Sequence, residues 1–212
     1  MTGLLFGEQE ISPLWFEERA RQDGFLRVAG IDEARRGPLS GPVVAAAVIL
    51  PEKFDLPGLT DSKQLSEKQR HTLFPEIRRQ AAVGLGISSP EEIDSINILQ
   101  ATLLAMQRAI ETLRGGTDFL LIDGITPLPV TTPQKTLKKG DSRSLSIAAA
   151  SVIAKVVRDR MMHGYDRRYP DYAFARHKGY GSAAHRAAIA KHGPCPIHRR
   201  SFGGVKEYLE VP

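Results

Sequence analysis

The sequence predicts an α/β protein in which helices cover a mixed β-sheet. Short apolar runs of strand length alternate with longer segments in which apolar residues recur every three or four positions. A strand–helix–strand connection across residues 89–115 is typical of neighbouring parallel strands. The 212 residues show no internal repeat, so we expect a single domain over residues 1–212 with its core at about residues 25–203.

Four short apolar segments predict strands at residues 25–32, 43–50, 82–87 and 118–123. We expect a further short strand around residues 134–137. A turn marked by glycine and proline separates the first two segments, which predicts that they pair antiparallel.

Capping signals and apolar periodicity predict the helices. The predicted helices cover residues 66–80, 89–113, 145–161 and 183–191. Ser66 with Gln69, and Ser89 with Glu92, have the spacing of capping boxes. The third helix is rich in small residues, which permits close approach to the sheet.

The net charge of +5 is distributed unevenly along the chain. Residues 1–134 carry −5, residues 135–212 carry +10, and five of the six histidines lie in the second part. A cationic region is typical of proteins that bind a phosphate backbone. An ordinary solvated basic face has the same composition, so charge alone leaves both interpretations open.

Cysteine usage and the apolar segments predict a cytoplasmic protein. Cys195 is the single cysteine of the sequence and has no zinc-ligand spacing with histidine, which favours a reducing compartment. Residues 1–25 contain four glutamates and do not fit a secretory signal. The longest apolar stretch, residues 43–50, is too short to cross a bilayer.

Acidic side chains end two of the predicted strands. Asp32 and Glu33 follow the first apolar segment, and Asp123 closes the fourth. If these strands are parallel neighbours, both acids lie at the carboxyl edge of the sheet, where open α/β sheets bind ligands. Glu33 joins Asp32 only if the chain bends there, at residues 36–38. Asp141, just before the small-residue helix, would project toward the same edge.

Four carboxylates at one edge favour a divalent metal. Packed together they repel one another, and some would protonate unless cations compensated their charge. Oxygen ligands favour Mg²⁺ or Mn²⁺ over zinc, and two ions about 4 Å apart hold the attacking water and the leaving oxygen of a phosphodiester. In the alternative interpretation Asp32 caps a turn, Glu33 pairs with Arg36, and the other two acids are solvated.

Six long motifs follow one another between Gly30 and Phe202. In order they are GIDEARRGPLSGPVVAAAVIL, LTDSKQLS, LLIDG, KGDSRSLSIAAASVIAKVVRDR, YPDYAFARHKGYGS and HGPCPIHRRSF. This series closely resembles bacterial ribonuclease HII. The resemblance implies the RNase H-like fold, a five-stranded mixed sheet flanked by helices, with a basic helical C-terminal region.

The resemblance implies an endoribonuclease. Such an enzyme cleaves the RNA strand of RNA–DNA hybrids and nicks duplex DNA 5′ of embedded ribonucleotides, leaving 3′-hydroxyl and 5′-phosphate ends, with water as nucleophile. By motif position, the implied catalytic acids and ligands of two Mg²⁺ or Mn²⁺ ions are Asp32, Glu33, Asp123 and Asp141. The expected partners are these nucleic acids, with no membrane and no obligate protein partner, and we expect a monomer.

Substrate-binding residues are also implied by the resemblance. In the family a Gly-Arg-Gly segment reads the 2′-hydroxyl through backbone groups, and the tyrosine of the KGYG motif, here Tyr180, stacks on the sugar at the junction. Lys63 and Arg143 resemble phosphate contacts.

One position departs from the family pattern. The segment that should read Gly-Arg-Gly is Arg35-Arg36-Gly37 here. Glycine is expected where a backbone has unusual dihedral angles or lies against a ligand, and arginine adds a Cβ and a charge. We therefore expect metal-dependent hydrolysis to remain and the preference for a single embedded ribonucleotide to weaken.

Three other interpretations compete with this one. Ribonuclease HIII shares the fold but typically has an additional N-terminal domain, whereas about 25 residues precede the first predicted strand here. A transposase or junction resolvase of the same superfamily would use acidic metal sites, but the KGYG and DSK motifs argue against it. A basic RNA-binding protein without catalytic activity would explain the charge asymmetry and would not require the acids.

Overall fold

A five-stranded mixed sheet forms the centre of the molecule, as the sequence predicts. The computed structural model describes residues 12–34, 36–60 and 62–209. The strands are β1 (Val28–Ala34), β2 (Val43–Ile49), β3 (Ala82–Ser88), β4 (Phe119–Asp123) and β5 (Gln134–Leu137). Their order across the sheet is β3-β2-β1-β4-β5.

Strand pairing confirms the predicted topology. β1 pairs antiparallel with β2, which in turn pairs antiparallel with β3. On its other side β1 pairs parallel with β4, and β4 pairs parallel with β5. Ile31 lies opposite Ile122, so β1 and β4 end at the same edge of the sheet.

Helices cover both faces of the sheet. They are α1 (Trp15–Gln22), α2 (Glu67–Gln80), α3 (Pro90–Glu111), α4 (Leu145–Arg168), α5 (Phe174–His177) and α6 (Ala183–His192). Both predicted capping boxes, at Ser66 and Ser89, are present. α1 is not predicted by the sequence pattern, and α4 continues to Arg168 rather than ending at Met161. In the part of the chain that the structure describes, no helix is long and apolar enough to cross a membrane.

Helix α3 is interrupted where its apolar periodicity predicts continuity. Asn97 has φ 69° and ψ 165°, outside helical geometry. Its Oδ1 accepts hydrogen bonds from the backbone N–H groups of Leu99 at 2.9 Å and Gln100 at 3.1 Å. Asn97 therefore caps a new helical segment, because its side chain replaces the backbone acceptors that the break removes.

The two faces of β1 pack against different helices. Ala29 and Ile31 belong to the core on the α3 side, whereas Ala34 belongs to the core on the α4 side. On the α4 side, a Cβ at Gly30 would overlap backbone atoms of Ser146 and Ile147. The missing side chain therefore lets the start of α4 lie directly on the sheet.

The basic C-terminal region folds around a small core of its own. Its buried apolar members are Leu39, Met162, Tyr172, Phe174, Ile189, Ile197 and Val205. His185 and His198 are also buried, with their Nε2 atoms 3.0 Å apart. Loss of water lowers the pKa of both imidazoles to about 4, so both rings are neutral near pH 7.

The contact at Gly30 predicts a large difference between two glycine substitutions. Gly30→Ala should lower the free energy of unfolding by about 1–3 kcal/mol, because its methyl group overlaps the α4 backbone. Gly164→Ala, within α4, should raise the free energy of unfolding by about 0.5–1 kcal/mol, since nothing lies within 4 Å of the added Cβ. Urea unfolding of both variants measures the difference. Equal effects of the two substitutions would contradict the close packing of α4 on β1.

Candidate active site

Three carboxylates meet at the carboxyl edge of β1 and β4. Ligand oxygens of Asp32, Asp123 and Asp141 all lie within 4.8 Å of one another. Asp32 and Asp123 each come one residue after the paired Ile31 and Ile122, so they lie side by side. Both side chains point to the α4 face because successive strand residues alternate between faces. The ends of β1 and β4 therefore meet at one edge of the sheet, as predicted.

Asp141 reaches the other two acids from a short 3₁₀ turn. This turn, Gly140–Ser142, connects β5 to the start of α4. The backbone N–H of Gly140 donates a hydrogen bond of 2.6 Å to Oδ1 of Asp123, which fastens the turn to the end of β4. Lys63 donates a hydrogen bond of 2.6 Å from Nζ to Oδ2 of Asp141. Its ammonium group supplies positive charge directly beside the acids.

Glu17 of α1 holds the beginning of α4 in place through hydrogen bonds. This carboxylate is fully buried. Its Oε1 accepts hydrogen bonds of 2.6 Å from the hydroxyl groups of Ser144 and Ser146, and one of 2.8 Å from the backbone N–H of Ser146. α1 therefore supports the residues that directly follow the Asp141 turn.

The three-acid cluster is electrostatically strained. Burial raises the pKa of Asp32 well above its ordinary value, and repulsion by Glu33 and Asp123 raises it further, while a hydrogen bond from Ser151 opposes the shift. Burial likewise raises the pKa of Asp123, opposed by the Gly140 N–H. The possible ligand atoms of the cluster are all carboxylate oxygens, which suit a hard divalent cation. The charge of such a cation would offset both the repulsion between the acids and their lost hydration.

Glu33 lies beside the three-acid cluster, although β1 continues to Ala34. It lines the same cavity as Asp32 and Asp123. With Arg36 and Asp123 it also lines a smaller cavity of about 200 Å³. Burial raises the pKa of Glu33, and the charge of Arg36 opposes this shift. Asp123 therefore belongs to the three-acid cluster and lines both cavities together with Glu33.

A larger open cavity of about 440 Å³ lies over the acids on the α4 side. Basic and hydroxyl side chains line its wall: Ser62, Lys63, Arg70, Ser151 and Lys155. Lys155 donates a hydrogen bond of 2.7 Å to Oγ of Ser62, which lies 2.6 Å from Oγ of Ser151. Sequence reasoning did not single out Ser151 or Lys155. In the sequence these two residues stand out as polar residues within a run of small and apolar ones.

The predicted substrate-binding residues are distributed unequally around this cavity. Tyr180 lines it with an exposed side chain, as does Lys63. Gly37 is exposed, and a Cβ there would meet nothing within 4 Å. Arg143 instead places its Cζ 5.1 Å from the ring centroid of Phe16 in α1. Arg35, the position that departs from the family pattern, lies outside the described residues.

Sequence comparison connects this site to one family. The family model for Ribonuclease HII matches residues 29–205. A ribonuclease HII from Syntrophotalea carbinolica is 66% identical over 206 residues, covering 97% of this chain and 99% of that protein. A ribonuclease HII from Geobacter sulfurreducens is 57% identical over 211 residues, covering 99% and 97% of the two chains.

Structural comparison finds the same fold in solved proteins. The ribonuclease H2 from Pyrococcus horikoshii OT3 has a TM-score of 0.71 and 27% identity, covering 86% of this chain and 97% of that one. A chain in the PCNA:RNase HII complex from Archaeoglobus fulgidus has a TM-score of 0.72 and 27% identity, covering 84% and 96%. Bst-RNase HIII in complex with Mn²⁺ shares the fold at 19% identity and a TM-score of 0.67, covering 98% of this chain and 75% of that one.

The family match and the site lie in the same part of the chain. Residues 29–205 include the ends of β1 and β4, the Asp141 turn and the loop that carries Tyr180. The mixed sheet and flanking helices agree with the fold of the solved relatives. This chain therefore belongs to the ribonuclease HII family of endonucleolytic ribonucleases H.

Proposed function

We propose that this protein is a metal-dependent endonuclease that cleaves the RNA strand of RNA–DNA hybrids and nicks duplex DNA 5′ of embedded ribonucleotides. The observation that carries the proposal is the convergence of Asp32, Asp123 and Asp141, two of which, Asp32 and Asp123, line a cavity with a basic wall. Membership of the ribonuclease HII family supports the substrate class. Basic side chains beside an acidic centre suit a polyanion that is held close to bound cations.

The acids are the residues that would hold Mg²⁺ or Mn²⁺. Asp32, Asp123 and Asp141 offer carboxylate oxygens within one cluster, and Glu33 offers a fourth carboxylate in the cavity that Asp32 and Asp123 line. Two such ions, when bound, supply an activated water and neutralise negative charge at phosphorus. Gly140 and Ser151 hold Asp123 and Asp32 in place by hydrogen bonds.

The proposed reaction is hydrolysis of one phosphodiester bond. The water oxygen forms a bond to phosphorus and the P–O3′ bond breaks, which leaves a 3′-hydroxyl and a 5′-phosphate. Lys63, Arg70 and Lys155 bind phosphates that flank the reacting one, because they line the wall of the same cavity. Because water attacks phosphorus directly, the reaction needs no covalent intermediate on the protein.

Recognition of the ribonucleotide is assigned to two loops beside the cavity. Tyr180 packs its exposed ring on the sugar at the junction, and the backbone at Arg36 and Gly37 approaches the 2′-hydroxyl. We propose that the protein does this as a cytoplasmic monomer with nucleic acid as its partner. The PCNA complex is a property of the archaeal protein.

A cleavage assay tests the proposed function directly. A uniform RNA–DNA hybrid and a duplex with one ribonucleotide should be cut with Mg²⁺ or Mn²⁺, whereas plain DNA and reactions with chelator should show no cleavage. Asp32→Asn should lower kcat on the order of 100-fold or more, because groups that stabilise transition-state charge typically contribute that much. Asp171→Asn, at an exposed acid, is the matched control and should remain within twofold of wild type. Binding of RNA with no cleavage under any condition would support the non-catalytic alternative instead.

Asp123→Asn should raise the stability of the metal-free protein and reduce its stabilisation by metal. Removing one charge relieves repulsion in the cluster, so the metal-free variant should gain about 1 kcal/mol of stability, or roughly 2–4 °C in Tm. Mn²⁺ at about 100 times its Kd should stabilise the wild type by about 2.7 kcal/mol and the variant much less. Thermal unfolding with and without Mn²⁺ measures both effects. An unchanged response to Mn²⁺ would remove Asp123 from the proposed metal site.

Arg35→Gly tests whether the departure from the family pattern weakens recognition. The variant should cut the single-ribonucleotide duplex roughly tenfold faster than the wild type, which corresponds to about 1.4 kcal/mol at the transition state. The uniform hybrid is the internal control, and its cleavage rate should change little. Equal rates for variant and wild type on the single-ribonucleotide duplex would show that Arg35 does not impair recognition.

A further inference from the structure

A buried arginine connects two loops near the acids, one of which lines the acid cavity through Tyr180. We call residues 36–42 the arginine–glycine loop and residues 178–181 the tyrosine loop. Arg158 of α4 has no exposed surface. It donates hydrogen bonds from Nε to the carbonyl of Pro42 at 2.9 Å and from Nη2 to the carbonyl of Ser40 at 2.9 Å. Its Nη1 donates to the carbonyl of Lys178 at 2.8 Å, so one guanidinium group binds both loops.

The two loops also contact each other directly. The backbone N–H of Leu39 donates a hydrogen bond of 2.9 Å to the carbonyl of Gly179. On the far side of the arginine–glycine loop, buried Arg199 donates from Nε to the carbonyl of Gly41 at 3.0 Å and from Nη1 to the carbonyl of Arg36 at 2.7 Å. The loops are therefore held as one unit by two buried guanidinium groups.

Burial of a guanidinium group is unfavourable unless its donors are satisfied. Arg158 meets this requirement with backbone carbonyls of the two loops, and a planar fork of donors fixes the direction of each bond. A lysine at this position has a single donor atom and cannot reproduce three bonds in that plane. The contact is therefore specific for geometry as well as for charge.

The position of Arg158 relates the loops to the acids. It lies on α4, whose first residues directly follow the Asp141 turn and whose Ser151 and Lys155 line the acid cavity. The tyrosine loop places Tyr180 at the same cavity, and the arginine–glycine loop begins beside Glu33. One helix thus sets the distance between the acids and both loops.

We propose that Arg158 is a positioning residue for ribonucleotide recognition, with Arg199 as its counterpart on the far side of the arginine–glycine loop. Arg158 aligns the arginine–glycine loop with the tyrosine loop, and this alignment determines how strongly the enzyme prefers an isolated ribonucleotide within DNA. The inference rests on the proposed function. It concerns the backbone support of the two loops and assigns Arg158 no contact with the reacting atoms.

The test compares Arg158→Lys with Arg167→Lys. Arg167 is an exposed arginine on the same helix, so its variant is the matched control. Steady-state kinetics are measured on the single-ribonucleotide duplex and on the uniform hybrid, and Mn²⁺ affinity is measured by calorimetry. Arg158→Lys should lower kcat/KM on the single-ribonucleotide duplex by about 10- to 100-fold, mainly through KM, since displacement of a positioning group by about 1 Å can cost about 100-fold. The uniform hybrid should lose at most about threefold, and Mn²⁺ affinity should stay within twofold.

The outcomes separate the inference from the proposed function. An equal loss on both substrates would show that Arg158 only supports folding, and unchanged kinetics would show that the alignment does not matter; either result overturns the inference. If the wild type cuts neither substrate, the proposed function fails and the inference falls with it. Should Arg158→Lys fail to fold, Arg199→Lys tests the same alignment from the carbonyls of Arg36 and Gly41, with the same expected loss of preference.

Discussion

The close contact between α4 and β1 is the constraint on which the site depends. Because Gly30 has no side chain, the start of α4 lies against the strand that carries Asp32. The helix therefore begins next to the acids, and the preceding turn brings in Asp141. Ser151, Lys155 and Arg158 then follow at spacings that keep them on one face of the helix. A single rigid element thus supplies cavity wall and loop support at fixed distances.

The acid cluster lowers the stability of the fold and at the same time orients carboxylate oxygens for binding a cation. Asp32 and Asp123 are held close despite their repulsion and the loss of hydration, which raise both pKa values. The supporting bonds come from rigid neighbours, such as the Gly140 N–H and the Ser151 hydroxyl group. The backbone around the acids therefore resists their separation, so that the carboxylates are already oriented before a cation arrives.

Local patterns predicted the fold and part of the site. Alternation within strands and the ends of two apolar segments placed Asp32 and Asp123 at one edge, since those signals depend on short-range geometry. The continuation of β1 through Glu33 to Ala34 was not predicted, because no local signal showed where the strand stops. The break at Asn97 was hidden because apolar spacing continues across it. Arg158 was missed because its partners come from loops distant in sequence, and charged helical residues usually face solvent.

Glu17 makes the support of the Asp141 turn depend on the order of chain synthesis. Its hydrogen bonds join residues 127 and 129 positions apart, from α1 near the beginning of the chain to the first residues of α4. On a ribosome α1 emerges early and must wait for most of the sheet and the start of α4 before its carboxylate finds these partners. Contacts of such long sequence separation form late, because the intervening chain must first be ordered. The contact between Glu17 and α4 can therefore form only after residue 146 of the 212 has been synthesised.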